Sequence, residues 1–465
     1  MDKFKTRSMI FGVRIDNSQA TTLCERIGDA QGLKNNYCIG NSMVVDGENA
    51  FDSIYPWCEI KRCNIIEGKI IYDYEAGFTV EQDVFAEIPK FYSRRKVVGN
   101  IEEICISGHC HAGFEAEPCF KDAAGNELEH VYVASYQTCV GSRSVSASVP
   151  QVLTTQAEFR EAAKNKGFSI MDIATWLAIQ KLVLIEFADR NMSNHLNGYG
   201  CLVYSDAVRA VESALSSNTI ICMGYTAGCF RVGQRVAVSP DGNPFLLADR
   251  EITAVSETPN GYSVTFTGEP VDITEGTTRI YCSGQPNGQT DVLPYHTGRT
   301  GEENALSPFR YRWMENLWGN VWTMTDGVVV RDLRYYVTSD LSKYTGDIDE
   351  WDMLSYPAPE QNRYPLTEYG YIKKTGYDQN HARYNFPSQL ETAPTHYGDK
   401  LYTIKNINPD GKEFPDGTEF GLVVGGGWDH LDRNGIFTMR FWGLRNNMKS
   451  WLYGSRMIIR GLNNR

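Results

Sequence analysis

Apolar and polar positions along this chain mostly alternate in short runs, broken by Gly, Pro, Asn and Asp. That is the period of half-buried strands joined by turns. Residues 1–85 carry the runs MIFGVRI, NSMVVDGENA and GKIIYDY and read as a β-rich N-terminal segment. From 86 come AEIPKFYSRRKV, EEICISG and HVYVASYQTCV, each a strand. Helical pattern is confined to the middle. Thr155 and Glu158 form a capping box, and Gly167 stands where a left-handed cap would end that helix. Ser169 opens a second helix over about 170–189. Its Ile170, Ile173, Trp176, Leu177, Leu182, Leu184, Ile185 and Phe187 leave only a narrow polar stripe, the pattern of a buried helix. In 201–296, FRVGQRVAVS, REITAVSETPNGYSVTFTGEPV and TRIYCSG alternate strictly around a Pro259-Asn260-Gly261 turn. This predicts an inserted small β-barrel or sandwich domain. Residues 297–465 are rich in Gly, Tyr, Asn and Trp and nearly free of helical period. The fold class expected is α+β.

Composition narrows the function. Lys and Arg total 45 against 57 Asp and Glu, a formal net charge of −12, so no basic excess is present to neutralise nucleic-acid phosphates. No apolar run reaches the ~18 residues of a membrane helix. MDKFKTRSMIFGVRIDNS has no apolar core of a signal peptide, so cytoplasmic synthesis without a signal peptide is expected. The 26 Tyr, 20 Phe, 9 Trp and 42 Gly point to turn-rich β structure with aromatic surfaces.

Candidate metal chemistry is sparse. The twelve cysteines end at Cys282, and the close pairs Cys58/Cys63, Cys105/Cys110 and Cys222/Cys229 are too widely spaced for a zinc ribbon. His109 and His111 flank Cys110, but one such tract has no second half. The expectation is thiols in a reducing compartment. Asp347, Asp349, Glu350 and Asp352 cluster in GDIDEWDM and could hold Ca²⁺ through loop oxygens; a solvated acidic loop explains them better. No cofactor is expected.

Four stretches carry a family likeness: IPKFY (88–92), FRYRWMENLWGNVWTMTDG (309–327), VVGGGWDH (423–430) and YGSRMIIRG (453–461). Together they resemble the C-type lectin fold of the formylglycine-generating-enzyme type. The nearer resemblance is to retroelement-diversified variable proteins of phage tails, of the major tropism determinant kind. It covers 86–200 and 297–465. It implies a C-type lectin-like domain in two parts, interrupted by the 201–296 insertion, with a ligand-binding variable region at about 425–455. It implies a receptor-binding protein of a phage or prophage tail, in the virion. Its partners would be a host cell-surface protein or glycan and other tail proteins, with a homotrimer among the assemblies allowed.

Two other functions compete. One is a formylglycine-generating-type enzyme with an unrecognised cofactor; the copper of such relatives is held by a cysteine pair in the C-terminal part of the fold, and 283–465 contains no cysteine. A Ca²⁺-dependent cell-surface lectin is the third class. The expectation is a non-enzymatic binder with no catalytic residues. If Ile436–Phe441 is a strand, Phe437, Met439 and Phe441 share one face, while Thr438, Arg440 and Trp442 share the outward one. Trp, Tyr and Arg are enriched at binding hot spots. The predicted surface comprises Asp429, His430, Leu431, Arg433, Thr438, Arg440, Trp442, Leu444, Arg445, Lys449, Trp451 and Tyr453.

Overall fold

The structure is a computed structural model that describes residues 6–198, 208–223, 230–241, 248–301, 307–359, 370–403, 414–429 and 434–462. Among the described residues the protein is mostly β, with several sheets and two short α-helices, and so is α+β only in a loose sense.

The first helix, Gln156–Lys164, begins at the predicted box: Thr155 Oγ1 accepts from Glu158 N, and Glu158 Oε2 accepts from Thr155 N at 2.7 Å. After its last turn Gly167 takes φ 77°, a conformation that favours glycine. The second helix, Ile173–Phe187, starts later than Ser169 suggests. Ser169–Ile170 is instead a short strand paired with Met457 and Ile458. Asp172 is the cap, accepting from Thr175 N at 2.8 Å. All fifteen residues of this helix are buried. Its polar stripe is held by internal partners. Lys181 pairs with Glu117 at 2.9 Å, and Glu186 takes the Arg312 guanidinium and the Tyr311 hydroxyl. Breaking one such buried pair is costly, because the other charge is left uncompensated.

Strands distant in sequence meet around this helix. A six-stranded sheet runs Ser169–Ile170, Met457–Arg460, His130–Ala134, Val84–Pro89, Lys61–Ile66, Lys69–Tyr72. In a five-stranded sheet, Phe11–Asp16 lies between Ile101–Ser107 and Glu25–Gly28. The division expected at 85/86 therefore falls inside shared sheets: strands before it pair directly with strands after it. A nine-stranded sheet is centred on Trp322–Arg331, Glu419–Val424 and Met439–Leu444.

The strands between Ala214 and Cys282 pair only with one another among the described residues. The Pro259-Asn260-Gly261 signal forms a hairpin in which Thr258 is the register partner of Gly261. The apolar interior of this unit is nevertheless continuous with the main body, since Tyr281 packs edge-on to Trp451 at 5.7 Å. Cys24, Cys38, Cys63, Cys105, Cys110, Cys119 and Cys139 are thiols. Cys282 is disulfide-bonded, which corrects the expectation of thiols throughout; cysteine counts and spacings carry no information on which side chains fold together.

Trp322 is fully buried in the shared interior, 5.9 Å from the Tyr402 ring. Trp322→Ala should lower stability by about 3–5 kcal/mol, the range for large aromatic truncations. Urea denaturation checks this; a loss below about 1 kcal/mol would contradict the packing described.

Candidate ligand-binding segment

The segment 425–455 is clamped at both ends. At the first end, Gly425 and Gly426 take φ 86° and 78°. A Cβ on Gly425 would lie 2.6 Å from Leu317 O, so this backbone approach is closed to larger residues. The approach allows Gly319 N to donate to Gly425 O at 3.0 Å and Trp428 N to Asn320 O at 2.7 Å. Asn320 itself is fixed: its Nδ2 donates to Gln137 Oε1 at 2.9 Å and its Oδ1 accepts from Gln285 N at 2.7 Å.

At the second end, Tyr453–Gly454 pairs in parallel with Trp322 and Thr323. The fully buried Arg456 follows. Its guanidinium donates to the carbonyls of Ala134 (2.7 Å), Ser135 (2.9 Å), Glu315 and Asn316 (3.0 Å). One side chain of YGSR thus joins the end of His130–Ala134, the sheet neighbour of Val84–Pro89, to the ENLWGNVW stretch.

Between the clamps, the twelve residues expected at the surface divide. The strand covers Met439–Leu444 rather than Ile436–Phe441. Phe437, Met439 and Phe441 are buried as expected, but Thr438 is fully buried too, which corrects its outward placement. Residues before the strand are held in a turn, with Thr438 N donating to Gly435 O at 3.1 Å. Arg440 is half-buried, its guanidinium over the Trp322 and Tyr453 rings at 5.8 and 5.9 Å.

Asp429, Trp451 and Tyr453 are buried. Trp451 packs against Trp428 at 4.7 Å as well as Tyr281, so it is an anchor rather than a display residue. Arg445 is buried, with Glu419 Oε2 at 2.8 Å and the carbonyls of Tyr344 and Gly346. Leu444 and Lys449 are exposed, as is Asn447 between them. His430, Leu431, Arg433 and the side chain of Trp442 lie outside the described residues.

A cleft of about 920 Å³ opens beside this segment, within the size range of ligand sites. Asn446 from the segment forms one wall; Arg160, Lys164 and Phe168 form another, with Asp326 and Tyr344 at the lining. Arg160 fixes the geometry, giving Nε to Asp326 Oδ2 at 2.8 Å, Nη2 to Asp326 Oδ1 at 2.6 Å and Nη1 to Asn446 Oδ1. Sequence reasoning missed this group. Arg160 lies in an ordinary polar helix face, and nothing local marks its reach to residues 326 and 446.

Among the described residues, no group of three or more His, Cys, Asp or Glu side chains is placed to hold a metal ion. The acidic loop is internally engaged: Asp347 Oδ1 accepts from Asp349 N, and Asp349 pairs with Arg331. In the histidine tract, His111 Nε2 contacts Ser8 O at 2.9 Å.

No protein-family model matches the chain, and no curated protein does.

Proposed function

We propose that this protein is a non-enzymatic ligand-binding protein: a receptor-binding component of a phage or prophage tail with a C-type lectin-like domain of the formylglycine-generating-enzyme type. The observation that carries this reading is the segment 425–455, clamped by buried contacts at both ends and presenting Leu444, Asn447 and Lys449 between them. A display site needs that division, because side chains facing solvent can change identity at little cost to the fold. The four stretches behind the family likeness also support it. Through His130–Ala134, Val84–Pro89 joins Met457–Arg460, and Trp322–Arg331 joins Glu419–Val424 and Tyr453–Gly454. On this reading the ligand is a host cell-surface protein or glycan, and the protein acts in the virion among other tail proteins.

The test follows from exposure. Replacing Leu444, Asn447 and Lys449 together should leave the melting temperature nearly unchanged, as surface substitutions do. Adsorption of the labelled protein to host cells should be lost or redirected. Adsorption that survives the triple replacement would place recognition elsewhere.

A further inference from the structure

A second cleft, remote in sequence from the display segment, is lined mostly by lysine, amide and imidazole side chains. It lies where the turn after Phe11–Asp16 meets the edge hairpin Gly370–Thr375/Pro387–Glu391. Its wall includes Asn17, Asn100, Lys373, Lys374, Gln389 and His396, and no carboxylate lines it. In a chain of net charge −12, a cleft with two ammonium groups and no acid runs against the overall field.

The placement of the lysines is specific. Consecutive residues on a strand normally point to opposite faces, so Lys373 and Lys374 should not share one cleft. The hairpin register shifts twice here, between Ile372 and Lys374 and again between Lys374 and Thr375. Such irregularities re-aim side chains, and both lysines line the same space. Neither has an acidic partner among the described residues.

The wall opposite is ordered. Asn17 N donates to Asn100 O at 2.9 Å, tying the turn to the neighbouring hairpin tip. Arg190 Nη1 approaches Asn17 Oδ1 at 3.5 Å, which orients the amide. Asn17 is more than nine-tenths buried, and its Nδ2 has no hydrogen-bond partner. His396 is fixed at Nδ1 by Glu391 Oε2 at 2.8 Å, so Glu391 is engaged by the imidazole. The Asp16 carboxylate, next to Asn17 in sequence, accepts from Ser18 N and Oγ.

The geometry points to this cleft as a binding site for a small oxyanionic group, a sulfate or phosphate ester or a carboxylate. Its volume of about 370 Å³ is near the lower end for ligand pockets. It suits a free ion or one anionic sugar residue rather than a long polymer. The site is independent of the display reading, since it shares no residue with 425–455.

The experiment is calorimetric titration of the full chain with inorganic sulfate, inorganic phosphate, galacturonic acid and a sulfated disaccharide. Saturable binding is expected, weakening with added salt as exposed charges are screened. Lys373→Gln/Lys374→Gln should weaken it at least tenfold with an unchanged melt. Asn17→Asp, which sets a carboxylate in the wall at the same size, should abolish it. Binding of the free ions would identify an ion site, and binding of the sugar-borne anions alone an anionic-glycan subsite. If no probe binds saturably, or binding survives both variants, the proposal fails and the lysines only protect a sheet edge.

Discussion

Replacing Arg456 by alanine should lower the stability of the chain by about 4–6 kcal/mol. The guanidinium serves four backbone carbonyls drawn from residues 134–135 and 315–316 and is itself fully buried. Each buried acceptor left unmet costs about 1–3 kcal/mol. Removing a buried charge recovers part of that sum through its own desolvation, so the total stays below four full penalties. Arg456→Lys keeps the charge but not the fork of donors, and should recover less than half of the loss. Urea denaturation monitored by tryptophan fluorescence measures both. A loss under about 1 kcal/mol for the alanine variant, well within ordinary surface effects, would show that this side chain does not join the strands as described.

The second large effect is a pH dependence at Asp399. The residue is fully buried, its Oδ2 accepting from Phe437 N at 2.6 Å, while its Oδ1 has no partner. Gly435 is pressed against the carboxyl, for a Cβ there would lie 2.1 Å from Oδ1. Burial pushes its pKa up to about 7, against the pull of the Phe437 and Thr438 amides, with Asp189 adding to the rise. An acid raised in the folded state holds its proton where the unfolded chain, with the ordinary value of 3.8, has released it. Stability therefore falls as pH rises from about 4 to 7 and is level above that. The contribution is on the order of 4 kcal/mol. Asp399→Asn removes it: the variant should gain on the wild type from about pH 4 to pH 7, and the two profiles should run parallel above that. Profiles already parallel between pH 4 and pH 7 would show that Asp399 does not titrate there.

Local chemistry was legible, and long-range chemistry was not. The capping box at Thr155 and Glu158, the hairpin at Asn260-Gly261 and the all-round apolar character of 173–187 each rest on neighbours a few residues apart, and each stands in the structure. Ser169 misled because a distant strand, Met457–Arg460, claims Ile170 for a ladder before the helix can begin. Period two over Ile436–Phe441 set Phe437, Met439 and Phe441 on one face and Thr438 and Arg440 on a second, but the strand begins only at Met439 and Thr438 is fully buried in the turn before it. Period two cannot tell which face meets water, and here Trp322 and Tyr453 cover much of the second. The same limit applies to both clefts. Arg160 finds Asp326 across 166 residues, and Lys373 lies near Asn17 only because two sheets meet.

The position of Met457–Arg460, between His130–Ala134 and Ser169–Ile170, has a consequence for translation. Every other strand of that sheet is synthesised earlier, so the edge of His130–Ala134 stays open until residues 457–460 have been made. An open strand edge is a target for misassembly. A stop codon or frameshift within 425–455 would delete Arg456 and the closing strand together, leaving that edge permanently exposed to proteases. A codon change at Leu444, Asn447 or Lys449 leaves both in place. The architecture thus separates errors of reading frame, which remove the closing strand, from changes of residue identity at these exposed positions, which leave it in place.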